Sequence, residues 1–137
     1  MNFFLDNCLS PKYARCLDIL SEKDGHRVFH LQDKFRRDAK DQDWIRDLGR
    51  EGDWVIVSGD TRILRTAELK AEWAQSRLTA FFLAAGWMNV GYWSQIANLV
   101  KWWPSILEQS RLVDVGTGFE VPFRSSRFKP VIVRRRR

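Results

Sequence analysis

The sequence is poor in the residues that build the commonest small sites. It carries two cysteines, Cys8 and Cys16, and two histidines, His26 and His30, in 137 residues. Two cysteines make no disulfide framework, and no C-x-x-C pair marks a zinc site. The histidines stand four apart on a predicted strand without a cysteine or second pair nearby, which suits ordinary strand histidines better than zinc ligands. No apolar run approaches the roughly 18 residues that span a bilayer, so no membrane association is expected. No basic start followed by an apolar stretch marks a secretory signal, and with so few cysteines the expected compartment is cytoplasmic. G-x-G-x-x-G and G-x-x-x-x-G-K-[ST] are both missing, which removes support for dinucleotide and P-loop binding. No G-x-S-x-G elbow offers a nucleophilic serine.

Hydrophobic residues make up 45% of the chain and aromatics 13%, with seven tryptophans. That is globular material, and the length suits one domain with its own core. The charge is unevenly placed. The formal net of +6 falls to −1, 16 basic against 17 acidic residues, once 124–137 are set aside. That segment holds Arg124, Arg127, Lys129 and Arg134 to Arg137 and no acid. The division expected is therefore a domain over 1–123 and a basic tail over 124–137. Such a tail is either a polyanion- or partner-binding arm or a solvated terminus.

The chain opens on Asn2-Phe3-Phe4-Leu5-Asp6-Asn7, an apolar run into an acid, which suits a strand buried on both faces. Ser10 and Pro11 then read as the N-cap and first residue of a helix to about Leu20, with Tyr13, Cys16, Leu17 and Leu20 on one face. His26 to Leu31 reads as a strand, Lys34 to Lys40 as a charged loop, and Asp41 to Gly49 as a short helix stopped by the glycine. Asp53 to Ser58 is the clearest buried strand, and Ser58-Gly59-Asp60 repeats the opening pattern of apolar run, then acid. A helix is predicted over Thr61 to Arg77 and a strand over Thr79 to Ala84. A long helix follows from Tyr92 to about Val113, with Ile96, Leu99, Val100, Trp103 and Leu107 as its stripe and Pro104 as a kink or break. Phe119 to Phe123 would be a last edge strand. Alternation of this kind gives an α/β domain of three layers around a mainly parallel sheet of four to five strands.

Asp6 and Asp60 would both emerge at the carboxyl edge of that sheet, where ligands collect in open α/β folds. Asp41 and Asp43 begin a helix just before the second of these strands. Being two apart on a helix, only one of them would face inward. Carboxylates gathered without a nearby lysine need a positive partner, and a hard divalent cation, Mg²⁺ or Mn²⁺, supplies it. Such an ion polarises a phosphodiester and lowers the pKa of an attacking water. The alternative is that Asp6 and Asp60 cap the helices that follow them. Asn7 is suited to orienting a water or a carboxylate.

The segments FFLDNCLSP, DQDWIRDLGREG and WVIVSGDTRI, in this order and spacing, resemble the PIN-like domain family in its VapC-type toxin branch, over roughly residues 2–110. The resemblance implies a Rossmann-like sheet and a metal-dependent ribonuclease, a hydrolase of RNA, acting as the toxin of a toxin–antitoxin pair. It implies a cognate antitoxin and a homodimer as partners. It carries metal-ligand roles onto Asp6, Asp41, Asp43 and Asp60, with Asp6, Asp43 and Asp60 as the catalytic set. One position departs: many relatives have a further acid two residues after the turn's aspartate, where this chain has Arg62. That arginine would contact a phosphate or one of the acids, or simply begin a helix in solvent.

Lys34, Arg36, Arg37 and Lys40 precede the acidic helix and would hold an RNA backbone beside the metal, or form a solvated loop. Trp102 and Trp103, with Trp87 and Trp93, are either base-stacking surfaces or core. A non-catalytic RNA- or protein-binding module on the same fold is the second reading, supported by Arg62 and the tail. A phosphoacceptor domain is disfavoured, since Asp6 has no adjacent acid and the fourth strand ends without a lysine.

Overall fold

The computed structural model describes residues 1–60, 62 and 65–132. Along it run β1 (Asn2–Leu5), α1 (Pro11–Ser21), β2 (Arg27–His30), α2 (Leu31–Lys34), α3 (Asp41–Glu51) and β3 (Trp54–Ser58). Then come α4 (Ala67–Ser76), β4 (Thr79–Leu83), α5 (Tyr92–Leu112), β5 (Gly118–Val121) and β6 (Lys129–Ile132). The strands make one sheet in the order β2-β1-β3-β4-β5-β6. All pairings are parallel except β5 with β6, which is antiparallel.

Successive side chains on a strand point to opposite faces, and this alternation divides the core in two. Phe3, Leu5, Val55, Val57, Phe81 and Leu83 pack with Tyr13, Ala14 and Leu17 of α1 and Leu99, Trp102, Trp103 and Ile106 of α5. Phe4, Ile56, Ala80 and Phe82 pack on the other side with Trp44, Ile45 and Leu48 of α3 and Trp73 of α4. Every residue of β3 and β4 is buried. The three-layer α/β architecture is therefore the one predicted.

Several details differ. The sheet has six strands rather than four to five, because residues 129–132, placed in the basic tail, form β6 against β5. The boundary at residue 123 is corrected accordingly, and β5 is an interior strand rather than the edge. Arg134 to Arg137 lie outside the described residues. Gly49 does not stop α3, which runs to Glu51 and closes on Gly52 at φ 78°. Gly49 is instead where α3 meets α4, since a Cβ there would stand 3.0 Å from the Ser76 backbone. α4 begins later than the sequence suggests, at Ala67, with the Thr66 hydroxyl accepting from the Leu69 amide. The expected start at Thr61, with Ile63 and Leu64, falls outside the described residues. α5 passes through Pro104 without ending, and its stripe is Leu99, Trp102, Trp103 and Ile106, leaving Val100 exposed. Among the described residues no helix is long and apolar enough to cross a membrane.

Candidate active site

Two neighbouring parallel strands set the position of the site. β1 lies beside β3 with Leu5 level with Val57, so Asp6 and Ser58-Gly59-Asp60 leave the sheet together. The strand order reverses direction at this pair, with β2 beyond β1 on one side and β4 beyond β3 on the other. This is the crevice that open α/β sheets use for binding.

Asp6 is 3% exposed. Its Oδ1 accepts from the amides of Cys8 and Gly59, both at 3.2 Å, and its Oδ2 accepts from the Ser58 hydroxyl. The same Ser58 oxygen accepts from the Asp60 amide at 3.1 Å, so one hydroxyl ties the two acid-bearing turns together. Burial nonetheless dominates. It raises the Asp6 carboxyl from 3.8 to about 6 against the pull of these donors, and the charge of Asp41 adds to the rise.

Asp41 is half-buried at the start of α3, and its Oδ1 accepts from the indole Nε1 of buried Trp44 at 3.0 Å. Burial pushes its carboxyl up, with the Trp44 bond opposing and the charge of Asp60 adding. Of the two acids left open by the sequence, Asp41 is the more buried, and Asp43, named with Asp6 and Asp60 as the catalytic set, faces solvent. It is exposed, and the charge it acts on is Arg46. Two residues of an α-helix turn the side chain by about 200°, so the two acids point opposite ways.

Asp60 is drawn below the usual carboxylate range. Burial acts to raise it, but the side chain and backbone amide of Arg62 outweigh that effect. Arg62 thus contacts an acid, one of the roles open to it from sequence.

Cys8, Ser58 and Gly59 had no role assigned from sequence, yet all three build the site. Cys8 is exposed as a residue, but partial burial of its thiol and the charges of Asp6, Asp60 and Asp41 push it up to about 12. The neutral thiol is favoured there, and the charges of all three carboxylates are felt at it. Gly59 is required by close approach, since a Cβ there would lie 2.8 Å from Cys8 Cβ and 3.2 Å from Met88 Cε. The legible signal was the S-G-D turn itself.

The accessory residues divide. Asn7 does not orient a carboxylate; its Nδ2 donates to the Arg37 carbonyl at 2.7 Å and its Oδ1 accepts from Gln32. That amide tethers the basic loop to the end of β1, which keeps exposed Arg37 at the carboxyl edge. Arg36 pairs with Asp38 in solvent. Lys34 is a correction: it pairs with Glu51 and lies 5.1 Å from the Trp54 ring, at the opposite, amino edge of the sheet. His30 is structural, its Nε2 donating to the Leu9 carbonyl at 2.7 Å while Nδ1 accepts from the Gln32 amide. Trp87, Trp102 and Trp103 are core, whereas Trp93 is 80% exposed at the start of α5.

As donors, Asp6, Asp41 and Asp60 fit a hard divalent cation, all being carboxylate oxygens. Their present spacing does not close around one: among the described residues no group of three or more His, Cys, Asp or Glu side chains is gathered to hold a metal ion. Fold and site together define an α/β protein with acids collected at the carboxyl edge of a parallel sheet. A family model described as PIN like domain matches residues 1–85, from β1 through β4. The chain belongs to the PIN-like domain family, whose members are generally nucleases. No curated protein and no solved structure gives a significant match.

Proposed function

We propose that this protein is a metal-dependent endoribonuclease of the VapC-type branch, the toxin of a toxin–antitoxin pair. The observation that carries the reading is that Asp6 and the Ser58-Gly59-Asp60 turn leave neighbouring strands together at the sheet's switch point, tied by the Ser58 hydroxyl, with Asp41 close enough for its charge to act on buried Asp6. Asp6, Asp41 and Asp60 would hold Mg²⁺ or Mn²⁺, which when bound supplies Lewis-acid polarisation of a phosphodiester and an acidified water. The chain's own part is positioning. Ser58, Gly59 and Cys8 fix the Asp6 carboxylate, Trp44 fixes Asp41, and Arg37 offers charge to an RNA backbone. An antitoxin and a second copy of the chain are the partners that this reading implies.

The test is cleavage of varied RNAs with EDTA and with Mg²⁺ or Mn²⁺ restored, beside Asp6→Ala, Asp41→Ala, Asp43→Ala and Asp60→Ala. Metal-requiring cleavage that is lost in the first, second and fourth variants, and largely kept in Asp43→Ala, is the expected result. The engagement of Asp60 by Arg62 favours one other reading, a non-catalytic RNA-binding module. That module would bind RNA without cutting it, and Asp6→Ala would leave its affinity unchanged.

A further inference from the structure

The Asp60 carboxylate is already engaged. Its Oδ1 accepts from the Arg62 amide at 2.9 Å and from Arg62 Nε at 3.1 Å, and its Oδ2 accepts from Arg62 Nη2 at 3.3 Å. A guanidinium fork so placed covers both oxygens of the acid. The exposure is lopsided: the Asp60 side chain is 12% exposed and that of Arg62 79%. The carboxylate is held in the turn, while the arginine reaches to it from solvent.

The guanidinium therefore does two things that a divalent ion would do. It brings positive charge to acids that have no other cation in contact among the described residues, and it occupies lone pairs that an ion would need. It differs from an ion in having a second good partner, because the same fork matches a phosphate as well as a carboxylate. We infer that Arg62 is a built-in counter-cation that competes with a divalent metal for Asp60 and is drawn away by a phosphate of the nucleic acid. Metal and nucleic acid then bind cooperatively, each raising affinity for the other by the same factor. The exchange costs the arginine little desolvation, because its side chain stands 79% in solvent, and a phosphate offers the fork an equivalent pair of oxygens. This inference rests on the nuclease reading of the same acids.

The experiment is calorimetric titration of Mn²⁺ into the full chain, the Arg62→Ala variant and the Arg65→Ala variant. Each is run with and without a 2′-O-methyl RNA oligonucleotide as a non-cleavable probe. Arg65→Ala controls for charge alone, because Arg65 acts on Asp60 through its field and donates no hydrogen bond to it. Arg62→Ala is expected to bind Mn²⁺ about fivefold tighter than the unmodified chain, and Arg65→Ala within about twofold of it. The oligonucleotide should tighten Mn²⁺ binding to the unmodified chain and leave Arg62→Ala unaffected. Arg62→Lys, which keeps the charge and loses the fork, should fall between. Equal affinities for the two alanine variants, or weaker binding by Arg62→Ala, overturns the counter-cation role while leaving the metal site standing. Absence of Mn²⁺ binding by every form, with melting curves showing them folded, overturns the metal-dependent reading itself.

Discussion

Asp6→Asn replaces the most deeply buried acid of the site by its neutral isostere, and its effect on stability follows from the carboxyl's displacement. Because the folded chain holds the Asp6 proton up to about pH 6, against 3.8 for an ordinary aspartate, the native state binds more protons than the unfolded state between these values. Stability is then full below pH 3.8 and falls as pH rises through 6. A displacement of this size is worth about 3 kcal/mol. The asparagine mimics the protonated acid and escapes this loss. Without metal, its advantage over the unmodified chain should be near zero at pH 4 and grow to about 3 kcal/mol by pH 8. Urea denaturation in EDTA at half-unit pH intervals, followed by tryptophan fluorescence, measures the difference directly. An advantage constant across pH, or an Asp6→Asn variant less stable than the unmodified chain at pH 8, would refute the account of a buried, uncompensated carboxylate. In Mg²⁺ the gap should narrow, because an ion that binds only the native, charged site stabilises the unmodified chain.

Two further outcomes are expected. Gly59→Ala should lower stability by about 1–3 kcal/mol through overpacking against Cys8 and Met88, and Cys8→Gly in the same chain should restore part of it. Additive urea midpoints for the pair would count against the contact. Truncation after Phe123 should behave as loss of a strand, not of a tail: β6 is removed, Ile132 leaves the core and the edge of β5 is bared. A truncated chain with an unchanged midpoint and no tendency to associate would show β6 to be dispensable.

What was legible in the sequence was whatever local patterning determines. Asp6 and Asp60 could be placed because each ends a short continuous apolar run bounded by turn residues, which suits a strand buried on both faces. The choice between Asp41 and Asp43 was not legible, because it depends on the rotational phase of α3 against the sheet. The buried indole of Trp44 fixes that phase by bonding Asp41. The direction of Lys34 was not legible because a four-residue helix is too short to show a period, and its long side chain turns to Glu51 and the Trp54 ring. The stripe of α5 was read one step out of phase at Val100, where Trp102 and Ile106 take the core instead. β6 was hidden by its composition, a Lys-Pro pair beside an arginine run that reads as solvent-facing chain. Sequence alone offered three fates for Arg62, and only the folded turn brings its fork onto Asp60.

The margins of the sheet constrain how copies of this chain meet. Both outer strands are four residues long, and the antiparallel one carries Pro130, which has no amide hydrogen to offer a newcomer. Short margins, one of them interrupted by an imino acid, are poor templates for joining two sheets into a continuous ribbon. Any contact between copies would then fall to helical surfaces, and Trp93 near the start of α5, 80% exposed, is the most exposed of the large apolar side chains among the described residues.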